Sequence, residues 1–330
     1  LIKKENIPDL NSVGYLLEHI KTGAKVMLLE NDDNNKVFTV GFRTPPFDST
    51  GTPHILEHSV LCGSKKFPVK DPFLELAKGS LNTFLNAMTY PDKTVYPVAS
   101  VNDKDFQNLM DVYMDAVLHP NIYSREQIFR QEGWHYEMEN AESPLTINGV
   151  VYNEMKGAFS SPDDVLSRYI LNSLYPDTQY AVESGGDPDV IPTLTYEKFL
   201  SMHSKYYHPS NSYIYLYGNC DMAEKLEWLD KEYLSEYNRI EIDSAIKVQK
   251  PFDSMQVIEK DYSIAADESL ANNTFLSWNV SIGNNLDKLN YLAFQILEYA
   301  LLDVPGAPLM QALLDAGIGA DRSEERRVGK

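Results

Sequence analysis

The stretch His54-Ile55-Leu56-Glu57-His58 sets two imidazoles four residues apart, with a carboxylate three residues after the first. Just before it, Thr52-Pro53 reads as a helix start, because threonine can accept from the free amides of a first turn and proline is tolerated there. The helix is predicted to run to about Cys62, with Gly63-Ser64 as its stop. On a helix, positions i and i+4 share a face and i+3 lies beside them. Two neutral imidazoles on one face can grip a zinc ion, and the neighbouring carboxylate can take a proton from a water that such an ion activates. The order H-x-x-E-H is the inverted form of the commoner zinc-protease helix motif. The alternative is a helix with two solvated histidines and a salt-bridged glutamate. A third ligand decides between the two.

Outward from this helix, the pattern alternates between periods of two and of 3.6 residues. Upstream, 24–29 (AKVMLL) and 36–43 (KVFTVGFR) read as a hairpin-like pair of strands turning at 31–34, followed by a loop at 45–51. Downstream, Asp71-Pro72 opens a short helix over 73–77, and β-rich stretches follow at 83–89 and 94–99. Helices are predicted over 103–118, 125–139, 162–174, 196–206 and 222–234, with a strand at 212–217. The segment 237–262 mixes Ile and Val with charges and shows no helical stripe, which suits a linker. A new strand at 274–281 and a helix over 287–302 come after it. Interspersed helices and strands with hairpin-like neighbours predict an α+β fold, helices packed on a mostly antiparallel sheet. The expected division is a domain at 1–238, a linker at 239–262 and the start of a second, similar domain at 263–321.

The chain has 330 residues, of which 43% are hydrophobic and 23% charged, an ordinary globular composition. Its two cysteines, Cys62 and Cys220, are far apart in sequence, so no disulfide framework is expected. No apolar run has the length of a bilayer span, and no signal peptide is visible, although the first residue is Leu1 rather than a methionine. The closing nonapeptide 322–330 (RSEERRVGK) reads as translated sequencing-adapter sequence rather than native chain, so natural sequence is expected to stop near Asp321. The formal net charge is −19, and the basic tail leaves −21 on the remainder. So acidic a surface disfavours nucleic acid and anionic membranes as partners.

A catalytic zinc ordinarily needs three protein ligands and one open position. Of the five other histidines, His203 and His208 lie five apart, a poor geometry for sharing a metal, and His19, His119 and His135 stand alone. They read as structural or exposed side chains. With 48 acidic residues, spacing alone cannot choose a carboxylate ligand.

Several longer segments narrow the choice: 54–73 (HILEHSVLCGSKKFPVKDPF), 80–100 (SLNTFLNAMTYPDKTVYPVAS), 129–137 (FRQEGWHYE) and 149–163 (GVVYNEMKGAFSSPD). To these are added 184–199 (SGGDPDVIPTLTYEKF), 206–219 (YYHPSNSYIYLYGN) and 305–319 (PGAPLMQALLDAGIG). Together they closely resemble the insulysin/pitrilysin group of zinc metallopeptidases, within it the presequence protease and falcilysin branch, over nearly all of 10–321. The resemblance implies the mitochondrial-processing-peptidase-like metallohydrolase fold. It also implies one Zn2+ per chain held by His54, His58 and Glu154, with Glu57 as general base. It implies an unstructured oligopeptide substrate bound as an added strand along Asn86-Ala87-Met88-Thr89. Leu61, Phe73 and Leu74 fall where family members have an apolar pocket beside the scissile bond, although plain helix packing would explain them as well.

Members of this branch are much longer, with two halves closing round a chamber, and the second half supplies an arginine and a tyrosine toward the developing oxyanion. That C-terminal half is an implied partner lacking here, so 1–330 is expected to bind zinc yet to hydrolyse peptide poorly or not at all. The rival reading is a non-catalytic peptide-binding or assembly subunit of the same fold. Such subunits typically lack the intact motif, and His54, Glu57, His58 and Glu154 are all present. The compartment expected first is the bacterial cytoplasm, with mitochondria and plastids as alternatives; neither nucleic acid nor membrane insertion is expected.

Overall fold

The computed structural model describes residues 1–271 and 273–317. They group into two compact units, one of 1–159 with 175–255 and the other of 160–174 with the described chain from 256 onward. In the first unit the chain runs through β1 (Lys3–Ile7), β2 (Ser12–Glu18), β3 (Lys25–Glu30), β4 (Lys36–Arg43) and α1 (Thr52–Val60). It continues with α2 (Pro72–Gly79), β5 (Asn82–Leu85), β6 (Met88–Thr89), β7 (Lys93–Ser100), α3 (Asp103–Leu118) and α4 (Glu126–Glu132). The small pair β8 (His135–Glu137) and β9 (Thr146–Asn148) precedes α5 (Val150–Ala158). After α6 (Pro162–Leu174), which groups with the second unit, come α7 (Tyr196–Tyr206), β10 (Ser212–Gly218) and α8 (Met222–Glu232).

The main sheet runs β1-β2-β3-β10-β4-β7-β5, with β6 also pairing β7. Every pairing is antiparallel except β10 with β3, where Ile214 faces Val26. The fold is therefore α+β on a mostly antiparallel sheet. The strands read as 24–29 and 36–43 do form, but they are not a hairpin. Strand β10, from near the end of the unit, inserts between them. Its alternation buries Ile214 and Leu216 on one face, a profile that suits the middle of the sheet, not its edge.

Other departures have local causes. The N-terminal strands β1 and β2 escape notice because β1 (KKENI) is mostly exposed and lacks an apolar alternation. The helix expected over 125–139 ends at Glu132, where Gly133 caps it, and His135–Glu137 turns into a strand. The stretch 83–89 is two short strands, β5 and β6, each pairing a different end of β7, with Asn86 and Ala87 between them. Where side-chain caps are present the prediction holds closely: Asn102 accepts from the Asp105 amide at the start of α3, and Thr195 from the Lys198 amide at the start of α7.

The core lies between sheet and helices. Helix α3 packs on β4 and β7 through buried Phe106, Leu109, Met110 and Tyr113. Helix α1 packs against β6 and β7 and is flanked by α4 and α7. Ile55, Leu56 and Val60 are fully buried, each contributing about 1.5–3 kcal/mol. Rotating α1 would bring them toward water, so their burial fixes which way the remaining positions, 54 and 58 among them, point.

The second unit contains α6, α9 (Lys288–Glu298), a π-helical turn at Tyr299–Asp303 and α10 (Pro308–Ala316). The strand expected at 274–281 is absent among the described residues; a strand needs a hydrogen-bonded neighbour, and none is offered there. The tail at 322–330, read as non-native, lies outside the described residues. No described helix is long and apolar enough to cross a membrane.

Candidate metal centre

Helix α1 is capped at its N-terminus by Gly51, has Pro53 in its first turn, and sinks almost completely into the unit. Its two imidazoles stand on one face, ring centroids 5.0 Å apart and planes at 75°. Glu154 comes from the middle of α5, and its Oε2 lies 3.7 Å from His54 Nε2 and 3.7 Å from His58 Nε2. One ligand atom from each of these three residues falls within 4.8 Å of the others. Glu154 is the exposed member, its side chain 54% accessible, so the cluster opens to solvent on that side.

The far side of each ring decides what the near side can do. His54 Nδ1 is 3.0 Å from the Gly185 carbonyl oxygen, which can only accept, so Nδ1 carries the proton. His58 Nδ1 is 3.4 Å from a carboxylate oxygen of Glu132 and is the donor there for the same reason. In the neutral rings both Nε2 lone pairs are then free and directed at the space beside Glu154. Two imidazole nitrogens and one carboxylate oxygen, with outer partners fixing both tautomers, make a donor set that fits zinc and leaves a fourth position open.

Charge around the site is uneven. Burial by itself would lower the His58 pKa, but the Glu132 hydrogen bond and the charges of Glu57, Glu132 and Glu154 outweigh it and raise the pKa. Burial pushes Glu132 the other way, upward, and is overcome by donors: His58, the Gln131 amide at 2.8 Å and the Cys62 thiol at 3.5 Å. Its carboxyl is held below the usual range and stays ionised. Glu57 is nearly buried, 8% exposed, and its carboxylate takes no hydrogen bond from a described residue. It lies near enough for its charge to bear on His58, Tyr96, Tyr113 and Tyr207.

Asn86, Ala87 and Met88 lie on the sheet edge formed by β5 and β6, and β6 packs against α1. The Tyr113 hydroxyl donates to the Asn86 carbonyl at 3.3 Å and steadies the break between the two strands. Leu61 is buried, Phe73 is half-buried against the core, and Leu74 is exposed. The remaining histidines are engaged elsewhere. His203 donates Nε2–H to the Val117 carbonyl and accepts from the Tyr123 hydroxyl, and His208 accepts from the Ser210 amide. His119 pairs with Asp115, His19 with Thr22 and Asp230, and His135 with the Arg130 carbonyl.

Residues 36–180 match the protein family described as Insulinase (Peptidase family M16), and residues 193–322 match the one described as Peptidase M16 inactive domain. The chain belongs to the insulinase, or peptidase M16, family. Among relatives, this M16 chain is 60% identical over 319 residues to Protein HypA of Clostridium perfringens (strain 13 / Type A), an alignment taking in 97% of this chain and 33% of that protein. It is 49% identical to presequence protease 1, chloroplastic/mitochondrial, of Arabidopsis thaliana, over 96% of this chain and 30% of the relative. With the mitochondrial presequence protease of Mus musculus it shares 41% identity, over 97% and 31%. It thus spans about a third of the length of the curated relatives it matches. Among solved structures, its fold resembles a protease from Helicobacter pylori, with a TM-score of 0.55 and 18% identity over 72% of this chain and 53% of that one. Pitrilysin gives a TM-score of 0.56 and 18% identity, over 76% and 25%.

Two partners of the histidines went unnoticed in the sequence of this M16 chain. Glu132 sits within a quoted segment, but its role depends on how α4 meets α1, where a Cβ on Gly133 would lie 3.2 Å from Ile55 Cγ2. Gly133 ends α4 and Gly149 starts α5, and a Cβ on Gly149 would lie 2.2 Å from the Gly133 carbonyl oxygen. That contact sets the ends of the two helices against each other, with β8 and β9 lying between them in sequence. The Gly185 carbonyl is a backbone atom and has no signature in sequence at all.

Proposed function

We propose that this chain carries the metal-binding and proton-transferring part of a zinc-dependent endopeptidase that hydrolyses unstructured oligopeptides. The observation that carries the reading is the convergence of His54 Nε2, His58 Nε2 and Glu154 Oε2, with both Nδ1 atoms committed to acceptors. His54, His58 and Glu154 would hold one Zn2+. Bound there, the ion would supply Lewis acidity, polarising the scissile carbonyl and acidifying water. Glu57 is the general base: its carboxylate, which takes no hydrogen bond from a described residue, accepts a proton from water and returns one to the leaving amine. Glu132 and the Gly185 carbonyl keep the two imidazoles in the tautomer that ligates.

The peptide is proposed to lie along the β5–β6 edge, where the backbone at Asn86, Ala87 and Met88 would bond it as an added strand with little side-chain discrimination. Leu61, Phe73 and Leu74 are proposed to wall the site on its apolar side. The division into a catalytic domain at 1–238, a linker at 239–262 and the opening of a second domain at 263–321 belongs to the same proposal. Because relatives are about three times as long, the remainder of such a protein is the proposed partner for full turnover.

Single-turnover cleavage of an unstructured peptide, with the zinc-loaded chain in excess, tests the reading. We expect slow cleavage that chelation abolishes and that Glu57→Gln reduces by at least about 100-fold with zinc retained. Cleavage that survives chelation, or a Glu57→Gln variant as fast as the parent, contradicts it.

A further inference from the structure

The loop 183–187 (ESGGD) touches both helices that bear the converging groups. On the α1 side, Gly185 receives the Nδ1–H of His54 on its carbonyl at 3.0 Å. On the α5 side it lies against Met155, the neighbour of Glu154; a Cβ on Gly185 would be 3.0 Å from Met155 Cε. The loop is seated on the first residue before α1. Gly51 has φ +68°, and a Cβ there would sit 2.7 Å from the Gly185 carbonyl oxygen and 2.7 Å from Gly186 Cα. Gly186 has φ +105°, and a Cβ on it would press to 2.8 Å from Ile191 Cδ1. A side chain at position 51 or 186 would meet both backbone strain and a clash.

Three further bonds pin the loop. Glu183 Oε1 accepts from the Gly185 amide at 2.9 Å, the Ser49 hydroxyl accepts from the Glu183 amide at 3.2 Å, and the Ser49 carbonyl accepts from the Asp187 amide at 2.8 Å. The carboxylate of Glu183 thus holds the peptide just before the one that presents the Gly185 carbonyl to His54, and the amide of that presenting peptide, Gly186 N–H, donates to the Glu183 main-chain carbonyl at 3.2 Å.

We propose that this glycine loop is a positioning device for the metal site, setting the tautomer and ring orientation of His54 and bracing α1 against α5. The proposal rests on the zinc reading above. The two histidines are then held by unlike partners. His58 leans on a carboxylate, which adds charge to the bond, whereas His54 leans on a neutral carbonyl that never titrates and that no side-chain substitution removes. Gly185 acts through His54 and is a positioning residue. Loss of such an outer partner costs about 10- to 100-fold in metal affinity.

The test uses the 330-residue chain with Glu183→Ala and Glu183→Gln, the second keeping an acceptor for the Gly185 amide, and Gly51→Ala as the direct disruption. Zinc affinity by chelator competition, the Co2+ absorption spectrum and thermal unfolding are measured on each. Imidazole 15N shifts are recorded on the metal-free forms. The proposal expects His54 protonated at Nδ1 in the metal-free parent. In Glu183→Ala it expects a mixture of tautomers, an altered Co2+ spectrum and zinc binding weakened about 10- to 100-fold without loss of melting temperature, with Glu183→Gln within about threefold of the parent. Glu183→Ala binding zinc within about twofold of the parent, with the same spectrum and tautomer, overturns it. So does a loss of affinity that tracks a lowered melting temperature and is not restored by glutamine. If Gly51→Ala fails to fold, the Glu183 pair decides. A parent that binds no zinc sinks the metal reading, while the metal-free tautomer of His54 still judges the loop.

Discussion

Two imidazoles on one helix face, His54 and His58, send their Nδ1 protons to different kinds of oxygen, and a third imidazole, His203, is spent wholly on structure. His203 is 3% exposed and is fixed between the Val117 carbonyl and the Tyr123 hydroxyl. Burial pushes its pKa down from 6.5 to about 4. Because the unfolded chain takes up that proton at higher pH than the folded one, stability from a neutral His203 is full above about pH 6.5 and is lost as pH falls toward about 4. We expect His203→Gln, which cannot titrate, to flatten the fall of unfolding free energy over that window by up to about one proton. Urea unfolding at stepped pH checks this; equal slopes in parent and variant would assign the acid loss to other groups. At this scale the sequence displayed the pentapeptide and its two imidazoles plainly. The third ligand, the carboxylate of Glu154, came from the resemblance, and the outer partners Glu132 and Gly185 were hidden, because contacts across the fold leave no spacing to read.

At the scale of elements, α4 connects packing to chemistry. Phe129 is fully buried between Phe199, 5.0 Å away, and Tyr196, 5.8 Å away, and Glu132 follows it by about one turn. Phe129→Ala should therefore destabilise the unit by about 3–5 kcal/mol and loosen the carboxylate that orients His58. Denaturant unfolding with a parallel zinc titration reads both, and a loss below about 1 kcal/mol would mean that α4 is held some other way. Capped amphipathic helices such as α3 and α7 could be read from sequence because their signals are local: a side-chain cap, then a stripe. The place of β10 between β3 and β4 could not, since it is decided by a strand some 170 residues away from its neighbour in the chain. Nor could the end of α4 at Gly133, where the 3.6-residue pattern of apolar side chains runs on past the helix into Trp134 and Met138. Strand 274–281 failed for the converse reason, an apolar β-rich run without a partner among the described residues.

For the whole molecule, the first unit contains all of the proposed metal ligands and the base, built on one continuous core. The chain covers about a third of the length of its relatives, so its own chemistry is best judged by metal binding, which needs only α1 and α5. The net charge of −19 makes adventitious binding of cations to surface carboxylates a real competitor, and a substitution within the cluster separates the two. The most direct test is the zinc content of the purified chain after dialysis, parent beside Glu154→Gln, by elemental analysis. The account predicts about one zinc per chain in the parent and little in the variant. Equal zinc in both, or none in the parent, would contradict it.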